Sequence, residues 1–558
     1  MEIESSDLVL DRAYAWERQM PNRIYMTQPM GLGVLREYTW QATLDEARRV
    51  AAHLQSYGFP PGSKIAIISK NCAHFIMSDL AIWMAGHVSV ALYPTLQADT
   101  VRYILEHSEA KLAFIGKLDD WESMKAGVPA GMPCISYPLS PPNDFPTWDR
   151  LVKDTQPIAG SPTRGADETA LLVYTSGSTG KPKGVEHTFR AMSTAGKGVT
   201  QALHMNSSER MLSYLPLAHV LERYAVEAAS LRIGSQLFFA EALDTFVQDV
   251  QRCQPTIFHS VPRLWLKFQQ GVLAKMPAEK LNRLLRLPII GSLVRKKVLK
   301  GLGLHKARLA VSGSAPIPPE LINWYRALGL ELLEGYGMSE NFAYSHVSLP
   351  GRSRVGYVGN CLPDVEHRIS PEGEIQIKSP ANMRGYFKEP ELTRQSFTDD
   401  GFLKTGDRGE IDSEGRLKIT GRVKELFKTS KGKYVAPAPI ENLLNADQRI
   451  EMSCVAGAGQ PQPFAMVMLS EQLRKQLKQG GADRAGIEQA MQNLVNTVNN
   501  QIEEYEQLKF VVIVEQEWQI ENGFLTPTLK LKRNVVEDAY GKHVPNWYGT
   551  NKPVLWQS

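Results

Sequence analysis

The densest chemistry in this 558-residue sequence lies between Tyr174 and Gly184, where hydroxyls, glycines and two lysines are packed into one short run. Thr175, Ser176, Ser178 and Thr179 supply hydroxyls. Gly177 and Gly180 let the backbone come close to a ligand, and Lys181 and Lys183 supply positive charge. Backbone N–H groups, hydroxyls and ammonium groups crowded together suit a polyphosphate, whose oxygens accept hydrogen bonds and carry negative charge. The run is not a Walker A loop, because Pro182 stands where that motif needs Ser or Thr after the lysine. A flexible Gly/Ser linker is the bland alternative, and the ordered mixture of residue types argues against it. Farther along, Glu340 after a glycine turn, Asp407 after Thr405-Gly406, and the Lys530/Lys532 pair near the C-terminus add carboxylates and ammonium groups. Taken singly, a glutamate such as Glu340 after a glycine turn reads as solvated surface.

These groups need a scaffold, and the surrounding pattern predicts one of the α/β class. Leu44, Ala47, Val50, Ala51 and Leu54 recur at helical spacing. A strand over 64–69, a helix over 73–85 and a strand over 88–93 follow, and a further apolar strand over 170–174 leads straight into the glycine-rich run. Short strands over 236–239, 256–259, 307–312 and 373–377 extend the α/β body past residue 400. Beyond Gly421 the pieces shorten: 440–445, 453–456, 465–469, 487–503 and 511–515. They predict a large multi-subdomain N-terminal body, residues 1–421, and a smaller mobile α+β lid, residues 422–558.

Composition excludes several classes. A net charge of +4 is too small for the broad basic face of a nucleic-acid binder. The five cysteines, Cys72, Cys134, Cys253, Cys361 and Cys454, lack CxxC or zinc-ligand spacing, which predicts a reducing compartment and no disulfide framework. The N-terminus is acidic and lacks a secretory pattern. The most apolar stretch, Ala81 to Tyr93, falls short of the roughly 20 residues a membrane-spanning helix needs. A cytoplasmic chain is expected. Basic and apolar residues interleave from Arg283 to Arg308 and suit the anionic inner face of a membrane, with a solvated basic helix as the alternative.

The run Tyr174 to Gly184 resembles the phosphate loop of the adenylate-forming (AMP-binding) superfamily, and further motifs follow in that family's order. Ser213-Tyr-Leu-Pro-Leu-Ala-His219-Val-Leu-Glu-Arg223 is similar to the form found in long-chain fatty acyl-CoA synthetases. Ser312-Gly-Ser314-Ala315-Pro316 resembles the adenine-contacting turn, with Ser314 where glycine is frequent. Gly335-Tyr336-Gly337-Met-Ser339-Glu340 resembles the signature whose tyrosine lies near adenine and whose glutamate binds Mg²⁺. Thr405-Gly-Asp407 and Gly421-Arg422-Val-Lys424 resemble the ribose-holding element and the hinge. Lys428 to Pro437, with Gly432, is similar to a stretch that lines the thiol acceptor's tunnel after lid rotation. Asn522 to Arg533 resembles the last motif and aligns Lys530 with the catalytic lysine, with Lys532 as competitor.

The resemblance implies catalytic roles for Lys530, Glu340 and Thr175. It further implies nucleotide contacts from Thr175 through Lys183, a hinge at Lys424, an acyl-pocket wall at His219, Mg²⁺ as cofactor, and ATP and CoA as cosubstrates. The implied reaction activates a fatty acid, most like a long-chain one, to acyl-AMP and passes the acyl group to CoA. The alternatives are an acyl-AMP ligase that loads a carrier protein, a medium-chain or aryl-CoA ligase, a luciferase-like oxygenase, and a nonenzymatic acyl- or nucleotide-binding homologue. A homodimer is left open.

Overall fold

The computed structural model describes residues 3–176, 181–481, 483–526 and 529–557. Two large sheets form the body. One has seven strands, mostly parallel, and contains Lys64–Ile68, Val88–Leu92 and Thr169–Ser176. The other has nine, with a parallel centre that includes Arg210–Ser213, Ile257–Ser260, Leu309–Ser312 and Leu332–Tyr336. Parallel strands covered on both faces need continuous apolar runs, which is what Ile65 to Ile68 and Val88 to Leu92 supply.

Helix Trp40–Ser56 is capped by the Thr39 hydroxyl, which accepts from the Ala42 N–H at 3.1 Å, and its predicted apolar stripe is buried. Helix Ala73–Met84 is buried along its whole length. This accounts for the apolar stretch that begins near Ala81: it is body core rather than a membrane span. No helix among the described residues is long and apolar enough to cross a membrane. Apolar side chains from both large sheets share one core cluster, which ties the body into a single unit.

A four-stranded antiparallel sheet, with Leu403–Ile411 paired to Leu417–Arg422, closes the body on its C-terminal side. The 3₁₀ turn Val423–Glu425 leads out of it. The last region is a four-stranded sheet, Ile450–Ala456, Phe464–Leu469, Val511–Ile513 and Val554–Trp556. Helix Arg484–Asn499 packs Ile487, Met491 and Val495 on one face, while Phe464, Phe510, Trp518, Tyr540 and Trp547 fill the other. Glu451 of this lid pairs with Arg263 of the body and, at 2.7 Å, with Arg474 of the lid, so one carboxylate bridges the two regions.

Candidate active site

The body and the lid both line a cleft of ≈ 2610 Å³ among the described residues. Strand Thr169–Ser176 runs antiparallel to Pro182–Thr188, and the register pairs Thr175 with Lys183 at the point where both reach the cavity. Residues Gly177, Ser178, Thr179 and Gly180, along with the Ser176 side chain, lie outside the described residues. Lys183 holds its ammonium 5.7 Å from the ring centre of Tyr386, another cavity residue. Lys181 is not part of the cavity wall and leans over Tyr103.

Strand Leu332–Tyr336 delivers the next groups. Its continuation, the 3₁₀ turn Ser339–Asn341, is pinned by three contacts: Asn341 Oδ1 accepts from the Met338 N–H at 2.8 Å, His187 Nε2 donates to the Ser339 carbonyl at 2.8 Å, and the Met383 N–H donates to the Glu340 carbonyl at 2.7 Å. The turn folds so tightly that a Cβ on Gly337 would sit 2.4 Å from the Ala343 backbone. Gly335 differs. A Cβ there would meet nothing nearer than 3.6 Å, so the space it leaves open belongs to the cavity. Glu340 is oriented by the Tyr386 hydroxyl, which donates to Oε1 at 2.7 Å. Such a carboxylate fits a hard divalent cation bound together with phosphate oxygens.

Ser314, Ala315 and Pro316 form another wall. Ser314 has φ +68°, a left-handed conformation that costs a non-glycine residue roughly 1–2 kcal/mol. That cost explains why glycine suits this position. Ser312, a cavity residue, has a buried Oγ with no hydrogen-bond partner among the described residues.

Asp407 sits at the junction of body and lid. Gly406, at φ +72°, bends the strand there and donates its N–H to Glu374 Oε1 at 2.8 Å. The Asp407 carboxylate is almost fully buried and accepts from the Tyr336 hydroxyl at 2.6 Å and from Arg422 Nε at 2.8 Å. Burial and the neighbouring Asp407 hold the Tyr336 phenol well above its ordinary range, so it stays a neutral donor.

The lid contributes Lys530 from a tight turn. The Thr526 N–H donates to the Lys530 carbonyl at 2.8 Å, the Lys530 N–H donates to Thr526 Oγ1 at 3.0 Å, and Leu525 and Leu531 bridge across the base. Lys530 stays accessible within the open cleft; partial loss of water there and the Arg422 charge push its ammonium below its ordinary value, while Asp407 and Glu340 pull it up. Lys532 also borders the cavity, but its N–H donates to the Phe524 carbonyl and its position caps helix Arg533–Tyr540. Arg533 is structural: it binds Glu441 at 2.6 Å and the Val455 carbonyl at 2.7 Å, which fixes the end of the motif to the lid core. Lys424 lies in the exposed linking turn and touches the cavity. Gly432, at φ +80°, stands at an exposed turn outside the cavity wall.

His219 is both a satisfied structural histidine and a wall residue. Its Nδ1 accepts from the Leu221 N–H at 3.1 Å, which places the ring proton on Nε2. Burial, reinforced by Lys530, pushes its pKa down to about 3, so it is a neutral donor at physiological pH. Behind it, Glu222 accepts from Ser213 Oγ and the Tyr214 N–H at 2.9 Å and pairs with His259 Nε2 at 2.8 Å. The chain then forms a π-helical turn, Arg223–Ala228, that presents Tyr224 and Ala225 to the cavity. From there an apolar lining extends to Val199, Leu203 and Met205.

The motif reading missed Glu334. It is 9% exposed, two residues before Tyr336, and burial raises its carboxyl from 4.5 to about 7. A carboxyl whose folded pKa is raised stabilises the fold fully below pH 4.5 and loses that contribution as pH climbs through about 7, a cost of about 3 kcal/mol. Glu334→Gln is therefore expected to raise the urea midpoint at pH 8 and leave it near the parent value at pH 5. Equal shifts at both pH values would show that ionisation is not the cause. Only its placement on the strand beside Gly335 could have flagged it in the sequence.

Fold and site together define a two-region enzyme in which a lid lysine and body carboxylates share one cleft. The description "AMP-binding enzyme" matches residues 13–387, and "AMP-binding enzyme C-terminal domain" matches residues 425–552. The chain belongs to the AMP-binding enzyme family and is an adenylate-forming ligase. Long-chain-fatty-acid–CoA ligase FadD15 of Mycobacterium bovis is 30% identical, with 98% of each chain covered. The peroxisomal long chain acyl-CoA synthetase 6 of Arabidopsis thaliana is 28% identical over 92% of this chain and 82% of its own. Among solved structures, the adenylation domain of a Mycobacterium chelonae carboxylate reductase superposes with TM-score 0.81 at 21% identity, covering 97% of this chain and 91% of that one. The anthranilate CoA ligase AuaEII superposes with TM-score 0.77 at 20% identity, covering 96% and 99%.

Proposed function

We propose that this enzyme converts a long-chain fatty acid, ATP and CoA into acyl-CoA, AMP and pyrophosphate through an enzyme-bound acyl-AMP. One observation carries the reading: Glu340, Asp407, Arg422, His219 and the lid's Lys530 line a cavity that is also lined by apolar side chains, among them Val199, Leu203, Val220 and Tyr224. A carboxylate is a weak nucleophile, so the first step depends on positioning and on cations placed where charge develops at the α-phosphate. Thr175 and Lys183 hold phosphate oxygens, Lys530 bridges the reacting carboxylate and phosphate oxygens, and the neutral His219 Nε2–H donates to the acyl carboxylate. Asp407 accepts from the ribose hydroxyls, with Arg422 beside it. Mg²⁺ held by Glu340 would neutralise phosphate charge. The thiol step needs Lys530 withdrawn. Rotation at Lys424 accomplishes this, breaks the Arg263–Glu451 pair and brings the Gly432 turn toward the cleft.

The long-chain assignment rests on the apolar extension past Tyr224 and Ala225 toward Val199, Leu203 and Met205. The direct test is mass spectrometry of products formed with ATP, Mg²⁺, CoA and a panel of short, medium, long and aromatic acids. Long-chain acyl-CoA with AMP supports the reading, and acyl-AMP without thioester points to a carrier-protein loader. Ala225→Phe is expected to shorten the preferred chain. Each methylene no longer buried costs about 0.8 kcal/mol, about fourfold in kcat/KM for the longest acids. An unchanged chain-length profile would place the acyl group elsewhere.

Peripheral membrane attachment, the remaining partner proposal, is supported by helix Pro288–Gly301 and the residues before it. Ile289 is 78% exposed and Leu293 64%, beside the exposed bases Arg283, Arg286, Lys296, Lys297 and Lys300. Two basic residues of the predicted run do not serve it. Arg295 Nε donates to the Ala327 carbonyl at 2.9 Å, and Arg308 Nε binds Glu209 at 2.9 Å. Ile289→Glu combined with Leu293→Glu should abolish co-sedimentation with phosphatidylserine-containing vesicles. Retained binding would remove this surface from consideration.

A further inference from the structure

Three soft or borderline donors meet at the seam between the nine-stranded and four-stranded sheets, and one of them, His346, also borders the cavity that holds Glu340. His346 lies on strand His346–Val347, paired on one side with Tyr336 and on the other with Cys361 of strand Asn360–Cys361. The chain then turns through Leu362-Pro363-Asp364 and enters strand Glu366–Ile369, which carries His367 into the other sheet. That turn is fastened: the Tyr344 hydroxyl donates to the Pro363 carbonyl at 2.7 Å and the Leu362 N–H to the Ser345 carbonyl at 2.8 Å.

The result is a compact donor set. His346 Nε2 lies 2.7 Å from His367 Nδ1 and 3.4 Å from Cys361 Sγ, and all three ligand atoms fall within 4.8 Å of one another. The other nitrogen of His346 is 2.7 Å from Ser345 Oγ, and Ser345 is fully buried. A second partner of this kind is what fixes ring orientation in metal-ligating histidines and leaves the outer nitrogen free for the ion.

We propose that His346, Cys361 and His367 form a binding site for one Zn²⁺ ion per chain, which clamps the two sheets together. The donor chemistry selects the ion. Two imidazoles and a thiolate suit zinc, whereas Mg²⁺ and Ca²⁺ require oxygen ligands. Bond lengths of about 2.0–2.1 Å to nitrogen and 2.3 Å to sulfur put tetrahedral donors about 3.3–3.6 Å apart. The Cys361–His346 spacing already approaches that. The imidazoles need to part by about 0.6 Å and Cys361 Sγ, within 4.8 Å of His367 Nδ1, to settle at the same spacing, adjustments within the reach of side-chain rotation, and the ion takes the place of the proton that joins the two rings. This site is chemically separate from the Mg²⁺ carboxylate and does not depend on which acid the enzyme activates.

The test is Zn²⁺ binding to the purified full-length chain, read by competition with a fluorescent zinc chelator, with Co²⁺ absorption as the optical signature of a thiolate ligand. One equivalent per chain is expected, with a thiolate-to-cobalt charge-transfer band and a higher melting temperature when Zn²⁺ is present. Cys361→Ser should erase the band, Cys361→Ser and His367→Gln should each weaken Zn²⁺ binding at least 100-fold, and Ser345→Ala should weaken it roughly 10- to 100-fold. Using both ligand variants, each checked for parent-like melting without metal, keeps a folding defect from imitating a lost ligand. No stoichiometric binding, or affinity unchanged in both variants, would overturn the site.

Discussion

Lys530→Ala is expected to lower the rate of acyl-AMP formation by roughly 10²- to 10³-fold while leaving thioester formation from added acyl-AMP near the parent rate. The first half follows from position. Lys530 is the lid ammonium whose electrostatic neighbours are Arg422, Asp407, Glu340 and His219, and it reaches them from a turn held by hydrogen bonds of 2.8 and 3.0 Å to Thr526. A cation fixed there stabilises charge that develops only as the carboxylate attacks, so its loss falls on the chemical step rather than on ATP binding. The second half follows from the proposed mechanism, in which the lid carries this residue away before the thiol enters. Lys532→Ala is the control, because Lys532 supplies its backbone N–H to the Phe524 carbonyl and starts the following helix. Pyrophosphate exchange measures the first reaction and acyl-CoA release from acyl-AMP the second. Greater damage from Lys532→Ala would transfer the role to that lysine.

Asp407→Ala is expected to reduce kcat/KM for ATP by roughly 10²- to 10⁴-fold, chiefly through KM. The carboxylate binds the Tyr336 hydroxyl at 2.6 Å and Arg422 Nε at 2.8 Å, so removing it leaves a buried phenol and a guanidinium without their acceptor. It also removes the proposed acceptor for the ribose diol. Hydrogen bonds to a charged group contribute about 1.5–3 kcal/mol each, and two of them give the stated range. Asp407→Asn keeps the shape and one acceptor oxygen and should lose less. Steady-state kinetics with ATP varied at saturating acid would decide the matter, since a fall in kcat at constant KM would mean that Asp407 serves the chemistry instead of holding the nucleotide.

Much of the scaffold was legible because parallel strands and core helices obey simple patterns. The apolar runs around Ile65 to Ile68 and Gln236 to Phe239, and the stripe from Leu44 to Leu54, became the strands and helix their spacing predicts. The π-helical turn at Arg223–Ala228 was not legible. No residue spacing marks it, and in the core Arg223 bonds both Asp79 and Glu227 at 2.8 Å. Glu334 stayed hidden for a similar reason, since its raised pKa comes from burial that no neighbouring letter announces.

By itself the sequence determined which groups exist and in what order: the run of hydroxyls, glycines and lysines from Thr175 to Lys183, Glu340, Asp407, Arg422 and Lys424, and a lysine pair near the end. Local spacing suffices for this, because each motif is a turn or strand end specified by neighbours a few residues away. The tertiary structure decided the relations among them. It turned Lys183 toward the cavity and Lys181 toward Tyr103, set Lys530 among groups more than a hundred residues distant, made His219 a neutral donor, and brought His346, Cys361 and His367 together across two sheets. Those outcomes depend on long-range packing and on the loss of water around each group, which local residue order does not encode.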